Sequence, residues 1–594
     1  MNKKLENLGF FSLLLSVSGL YGCSGGSTDT GADTALAPYY TQAVAWHDCS
    51  SDYFSGLDQG ALSQLSARTR CATMNVPLDY DDLSKGSVGI GVLKVSAGKP
   101  ASRLGAIWTN PGGPGVSGLN EALDVSQLLL IGNPSDSVGA KLLQLSDSYD
   151  VIGFDPRGVG SSVQLVCSSI AAGPALTVYT DRSAAAIDAL VDDARAEAAA
   201  CGGTPLTPYI NTEFTARDME VMRAALGYDK LNYFGTSYGT TLGAGYASLF
   251  PDRTGRMVLD SVVDITLPLV EYAPAQAPAL QHVLDGIVAP YVASHDDLFG
   301  LGASVDDVRN VSRRGPAWLT SWLGGAVYHS LFAQSQIDGV VTYMAVVNGI
   351  IDLLAANPAM SPSELKSAVD GRQFLPQASE RMEARAHEIA AGAVDAYVAS
   401  SSGSTKPVGL AVGAAANVAV TCNDGALTHR DQQYWTDLGN SLAQSAPLRG
   451  GSVSSVPCLY WPFTARKALP FERAAKLPIL LLEDENDGAT PLAGARATAA
   501  LLKGSRLLIQ DTDYSHGALF TDSTCVLGYA ADYLLNGSLP PVDTICAGKG
   551  LPAGTQTATA ASGVAANAQT QTATTYTDPA QAEAVLKKLR DMVQ

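Results

Sequence analysis

The stretch Leu231-Asn232-Tyr233-Phe234-Gly235-Thr236-Ser237-Tyr238-Gly239-Thr240 constrains this chain more than any other. Leu231 to Phe234 is a short aromatic and apolar run, the length of a buried strand, while Thr240 to Phe250 reads as a helix closed by Pro251. Gly235-x-Ser237-x-Gly239 at a strand-to-helix junction is the nucleophile-elbow pattern. The turn is too tight for side chains beside the serine, so glycines flank it, and the hydroxyl is lifted above the sheet edge with helix N–H groups behind it. In a chain with 58 glycines the same spacing also arises by chance; the strand before and the helix after select the elbow. Ser237 is therefore the expected nucleophile.

A serine hydroxyl needs a base to take its proton and an acid to orient that base. Ser237, Asp487 and His516 follow in the order that this constellation takes in α/β-hydrolases. Of the seven histidines, His47 precedes the sheet, His282, His295, His329 and His387 fall in a helical block, and His429 comes well before the last two strands. His516 sits on a loop just after a strand, with Gly517 behind it. The acid is less determined by position: Asp484 shares the loop of Asp487, and Asp511 and Asp513 read as local loop-formers. Asp487 is preferred, in part on the resemblance given below. With no Cys-x-x-Cys or His-x-x-x-His spacing, neither a metal nor a cofactor is expected.

Strand and helix signals place these residues on one scaffold. Trp46 to Tyr80 reads as irregular, and Ser87 to Val95 alternates like an antiparallel edge strand. Leu104 to Asn110 is the next strand and runs into Pro111-Gly112-Gly113-Pro114-Gly115. A glycine-rich loop after a strand and ahead of the elbow is where the second oxyanion donor belongs, so the N–H groups of Gly113 and Tyr238 are the expected oxyanion hole. Tyr149 to Asp155 is a buried strand, Thr215 starts a helix that Gly227 ends, and Arg256 to Asp260 follows the elbow helix. Leu477 to Leu482 and Arg506 to Gln510 resume the sheet, the latter as its last strand. Such alternation implies an α/β fold with a mostly parallel central sheet covered on both faces. Between Leu267 and Val420 the pattern turns helical, with Ser363 to Val369 and Gln377 to Ala399 as examples. That block reads as a cap over the active-site edge, or as an independent helical domain.

The expected organisation is a signal peptide over 1–22, a flexible tether over 23–40, and a core over 41–266 and 421–550. A helical insertion over 267–420 splits the core, and a low-complexity tail with a terminal helix fills 551–594. Lys3, Lys4 and the apolar Leu8 to Leu20 make a signal-like start, and Leu20-Tyr21-Gly22-Cys23 resembles the lipobox of bacterial lipoproteins. Cys23 is then the expected lipidation site and the membrane the expected partner, in the bacterial cell envelope, with plain secretion as the alternative. A net charge of -19 speaks against nucleic acid as a partner. Setting Cys23 aside from the nine cysteines leaves an even number. Taken as sequential pairs these are Cys49 with Cys71, Cys167 with Cys201, Cys422 with Cys458 and Cys525 with Cys546, in an oxidising compartment.

Several motifs now stand together: Val76-Pro77-Leu78-Asp79-Tyr80, Asn110-Pro111-Gly112-Gly113-Pro114-Gly115, Phe154-Asp155-Pro156-Arg157-Gly158-Val159-Gly160 and the elbow itself. With Asp487-x-x-Thr490-Pro491, His516-Gly517 and Cys525 and Cys546, they resemble the tripeptidyl aminopeptidase branch of the prolyl aminopeptidase family, over about Trp46 to Cys546. The resemblance implies an α/β-hydrolase fold with a TAP-like C-terminal segment, Ser237 as nucleophile, His516 as base, Asp487 as acid and short peptides as substrates. Asn110-Pro111 stands where prolyl aminopeptidases themselves carry a histidine, which favours the tripeptidyl branch. Family members hold the substrate's free amine with acidic side chains near the cap, and the sequence does not single those out here. A carboxylesterase or lipase with the same triad is the nearest rival, and a catalytically inactive binding protein on the same scaffold is a third reading.

Overall fold

The computed structural model describes residues 30–551, apart from 56, 58, 175, 378, 403, 404, 512, 513 and 522. Its strands are β1 (Thr69–Pro77), β2 (Ser87–Val95), β3 (Gly105–Asn110), β4 (Tyr149–Phe154), β5 (Cys167–Pro174), β6 (Leu231–Thr236), β7 (Thr254–Asp260), β8 (Thr405–Leu410), β9 (Ile479–Asp484), β10 (Arg506–Asp511) and β11 (Thr544–Ala547). Nine of them form one sheet in the order β1-β2-β4-β3-β6-β7-β9-β10-β11. From β4 to β11 every pairing is parallel, and only β1–β2 and β2–β4 are antiparallel.

The side-chain period of two builds both cores at once. Trp108, Tyr233, Leu259 and Leu481 pack on one face, where Met219, Met222, Leu242 and Tyr246 of the helices Thr212–Ala225 and Tyr238–Leu249 cover them. Their neighbours Ile107, Phe234, Val258 and Leu480 pack on the other, against Leu123, Leu128, Val526 and Leu534 of the helices Gly118–Leu130 and Thr524–Asn536. Burial on both faces is why these strands read as unbroken apolar runs.

Several expectations are corrected. Trp46 to Tyr80 is not irregular, because it contains β1, in which Met74 and Val76 face the core while Thr73 and Asn75 are exposed. β1 is therefore the edge, and Ser87–Val95 lies inside the sheet between β1 and β4. The helix before the elbow starts at Thr212 rather than Thr215, capped by the Asn211 side chain, which accepts the Phe214 N–H at 2.8 Å. Within that helix Asp218 pairs with the buried Arg157 at 2.6 Å. β10 is followed by one more strand, β11, too short to show a pattern. Of the expected tether, Thr30–Tyr40 is helical, where Ala35, Leu36 and Ala37 favour helix. The signal peptide, Cys23, the rest of the tether and the tail beyond 551 lie outside the described residues.

Between Leu269 and Asn423 the chain is mostly helical and has its own apolar core, built around Val340, Met344, Val347 and Ile350 of the helix Ile337–Ala356. That helix lies within a stretch apolar and long enough to cross a membrane, and here it is the buried centre of the cap. The block also holds β8, which pairs antiparallel with β5 from ahead of the elbow in a separate two-stranded sheet. The cap is tied to the carboxyl ends of the main strands. The Asn417 amide donates to Pro114 O, the Tyr272 hydroxyl and Gln276 amide donate to Ala489 O, and Ala333 bridges Ser515. Disulfides join Cys49 to Cys71, Cys167 to Cys201, Cys422 to Cys458 and Cys525 to Cys546. Bonds of this kind persist in an oxidising compartment.

Candidate active site

Ser237 stands between the last residue of β6 and the first of the following helix, at φ 57° and ψ -128°, a region that non-glycine residues rarely occupy. Packing over-determines it: its N–H donates to Asp260 O at 3.0 Å, and its carbonyl accepts the Thr240 N–H and hydroxyl at 2.8 and 2.6 Å. A Cβ at Gly239 would lie 2.4 Å from Asn110 O, so only glycine lets the elbow helix meet the end of β3. A Cβ at Gly112, whose φ is +95°, would lie 2.5 Å from Thr236 O and 2.8 Å from Tyr238 N. The glycine-rich loop thus rests directly on the elbow. The Gly112 N–H is engaged by the Asn110 side chain at 3.0 Å, which gives Asn110 a positioning part that the sequence reading did not anticipate.

The loops after β9 and β10 bring Asp487 and His516 together, the ring Nδ1 lying 2.8 Å from Oδ2. Asp487 is 2% exposed and His516 5%, while Ser237 is half-buried. The other Asp487 oxygen accepts the N–H groups of Ala489 and Thr490, and the Thr490 hydroxyl donates to Oδ2, all within 2.8 Å. Asp484, the alternative acid, accepts instead from the Gln510 amide at 3.0 Å. Asp511 ends β10, and Asp513 lies outside the described residues.

Electrostatics follow from this enclosure. Burial works to raise the Asp487 carboxyl, but the charge and hydrogen bond of His516 and the Thr490 donors outweigh it and leave it below the ordinary value. Burial likewise works to lower His516, and the charge and hydrogen bond of Asp487 outweigh it, so the imidazole is raised above 6.5. The imidazolium form is thus stabilised.

A second carboxyl group organises the turn that carries His516. Asp260, at the end of β7, accepts the N–H groups of Ala518 and Leu519, each at 2.8 Å, and the neighbouring Ser261 hydroxyl accepts that of Gly517 at 2.7 Å. Since Asp260 also takes the Ser237 N–H on its carbonyl, one residue ties the elbow to the turn that carries His516. Burial pushes the Asp260 carboxyl up to about 7, partly offset by those two N–H donors. Nothing in the sequence marked it beyond its place at the end of a strand.

A family model described as alpha/beta hydrolase fold matches residues 111–298, from the glycine-rich loop through the elbow, and one described as TAP-like protein matches residues 446–546, which hold Asp487 and His516. The chain is a serine hydrolase of the α/β-hydrolase fold. It is 28% identical to the tripeptidyl aminopeptidase of Streptomyces coelicolor over 88% of this hydrolase and 89% of that protein. It is equally similar, at 28%, to the serine protease Hip1 of Mycobacterium tuberculosis, over 86% and 92% of the two chains. Carboxylesterase B of the same species is 27% identical over 88% of this hydrolase and 94% of its own length.

A cavity of about 440 Å³ lies between the helical cap and the segment from Trp435 to Cys458, and Ser237, Asp487 and His516 are not among its lining residues. Contacts run from its lining to the glycine-rich loop and to the loops of Asp487 and His516. Asn417 holds the glycine-rich loop at Pro114, Gln276 holds Ala489 beside Asp487, and the Tyr328 ring packs on Phe332, whose ring lies 5.4 Å from that of His516. Phe332 O also accepts the His516 N–H at 2.6 Å, so the cap holds His516 by its backbone. The disulfide Cys422–Cys458 forms part of the wall.

Proposed function

We propose that this hydrolase is a serine exopeptidase that cleaves short peptides near their free N-termini through an acyl-enzyme. Ser237 Oγ attacks the carbonyl carbon while His516 takes its proton and Asp487 holds the imidazole in the accepting orientation. The oxyanion is received by the N–H groups of Gly113 and Tyr238; the Gly112 N–H is already engaged by Asn110, which leaves Gly113 as the loop donor we assign. Collapse breaks the C–N bond, His516 gives its proton to the leaving amine, and water, deprotonated by the same imidazole, hydrolyses the ester. The observation that carries the reading is the cavity formed by the cap and the segment from Trp435 to Cys458, whose Tyr328 packs on Phe332 and through it on His516. Glu197 is the carboxylate lining that cavity among the described residues, and we assign to it the substrate's ammonium group. The names of two relatives support a peptidase.

Steady-state release from Ala-Ala-Pro- and Ala-Ala-Ala-linked chromogenic amides tests this, each beside its N-acetylated twin. Turnover of the free amines that acetylation abolishes is expected, and equal turnover of both twins ends the exopeptidase reading. The likeness to carboxylesterase B supports a second reading, in which the same residues act on an ester. Higher kcat/KM on a short-chain ester than on any peptide amide would select it.

We also propose that the chain works outside the cytoplasm, tethered through a lipid on Cys23. The lipobox-like Leu20-Tyr21-Gly22-Cys23 and the four disulfides support this. Cys23→Ser is expected to move the protein from the membrane to the soluble fraction, and a wild type already soluble would refute the tether.

A further inference from the structure

Two charged side chains line the cavity, Glu197 and Arg449. Arg449 lies on the loop between the helix Gln432–Ser445 and the turn Gly450–Ser454, where no sequence pattern marks it. Its guanidinium carbon lies 4.5 Å from the centroid of the Tyr328 ring and 5.6 Å from that of Tyr179. Both rings are pinned, the Tyr179 hydroxyl donating to Ser321 O at 2.7 Å and the Tyr328 hydroxyl to the Gln276 side chain at 3.5 Å. A guanidinium stacked on aromatic rings is held in place while its N–H edges remain able to grip an anion.

What sets Arg449 apart is its pairing. The buried arginines of the core have carboxylates of their own, Arg157 with Asp218 and Arg223 with Glu220, each at 2.6 Å. Arg449 forms no ion pair among the described residues, in a chain with 57 acidic and 38 basic side chains. A cation kept beside a cavity without a protein counter-ion is arranged for one that arrives with the ligand.

We propose that Arg449 is a specificity residue that binds a carboxylate of the substrate, so that the cavity favours acidic peptides or peptides with a free C-terminus. This rests on the exopeptidase reading and deepens it: Glu197 receives the ammonium group and Arg449 a carboxylate, and together they select short peptides by charge at two points. The shared chemistry is a carboxylate, and two sources supply it, an Asp or Glu side chain or the peptide's own α-carboxylate.

The test compares matched substrates on wild type, Arg449→Met and Arg449→Lys. Ala-Glu-Ala-p-nitroanilide against Ala-Gln-Ala-p-nitroanilide reads the side-chain source, and Ala-Ala-Ala-Ala with a free against an amidated C-terminus reads the other. Wild type is expected to favour the carboxylate member of one pair by about 10- to 100-fold in kcat/KM, through KM. Methionine keeps the stem's packing on the two rings and is expected to erase that preference while leaving the neutral member within about twofold. Lysine keeps the charge but not the planar fork and is expected to fall between. No preference in wild type for either pair, or an equal fall for both members in Arg449→Met, overturns the inference. If every amide is inert, the peptidase reading has failed on its own, and a monosuccinate ester against a butyrate ester puts the same question to Arg449. A preference for the monosuccinate that methionine removes supports the carboxylate site, and its absence refutes it.

Discussion

The strand ends and the cap both border the candidate site, and they differ in what their backbones tolerate. A single methyl added at Gly112 or Gly239 would lie within 2.5 Å of a carbonyl oxygen, because two backbone segments meet there with nothing between them. The cap is mixed: a methyl at Gly324 would lie 2.0 Å from Leu448 O, whereas Gly325, Gly339, Gly371 and Gly392 have no atom closer than 3.7 Å to one. Where carbonyl chemistry needs donors and nucleophile fixed to a fraction of an ångström, position is set by main-chain contacts that no side chain can imitate. Around the cavity, contacts pass through side chains such as Tyr328 of the cap and Arg449 beyond it, the residues to which we assign a part in substrate choice. On the proposed mechanism, this division gives the reaction to the strand ends and selectivity to the residues around the cavity.

It can be broken in steps. Ser237→Ala is expected to lower kcat by about 10⁶ while leaving the thermal midpoint nearly unchanged, and a fluorophosphonate should no longer label the protein. Asp487→Asn is expected to cost about 10⁴ in kcat. It also shifts the pH profile: in wild type the rate falls as pH drops through the His516 pKa, raised above 6.5, and without the carboxylate that acid limb should move to lower pH. The stability signs are opposite, since the lowered Asp487 carboxyl contributes stability that is lost as pH falls through its folded pKa. The raised His516 imidazole contributes stability that is lost as pH rises through its own. Calorimetry of wild type and Asp487→Asn across pH checks both.

Gly112→Ala is expected to lower kcat by about 10² to 10³, by displacing the loop that carries the Gly113 donor. Full activity in that variant would dissolve the contrast between the two regions. Cys422→Ser with Cys458→Ser removes a bond that spans 36 residues, and is expected to cost about 3 kcal/mol of stability in denaturant melts. Because that bond lines the cavity, KM should rise a few-fold while kcat holds, the signature of a disturbed roof. The smallest effect belongs to Gly339→Ala, within about 0.5 kcal/mol of wild type and with unaltered kinetics.

How much of this was legible follows the same division. The elbow, the order Ser237, Asp487, His516 and the glycine-rich loop could be read because each needs particular residues at fixed offsets from a strand, and the strands themselves are unbroken apolar runs. The alternation of Ser87–Val95 gives its bounds but not its place inside the sheet, because β1 alternates around exposed polar residues such as Thr73 and Asn75 and shows as a strand only beside its partner. β11 is four residues long and carries no period. Asp487 could not be separated from Asp484 by spacing alone, since only the fold shows that Asp484 ends β9 with its side chain on Gln510 while Asp487, on the loop beyond, meets His516. Asp260 and Arg449 act through folding contacts with residues far away in the chain, and a single sequence has no local signal for that.

Each disulfide joins a cysteine to the next one along the described chain, from Cys49–Cys71 to Cys525–Cys546. A polypeptide meeting oxidant from its N-terminal end onward therefore has no choice to make, because the unpaired thiol already present and the next to appear are native partners. First-come oxidation writes the correct connectivity, and shuffling catalysts have little left to repair. A reactive thiol at Cys23 would shift that succession by one. A lipid on it would then guard the order of bond formation as well as tether the enzyme.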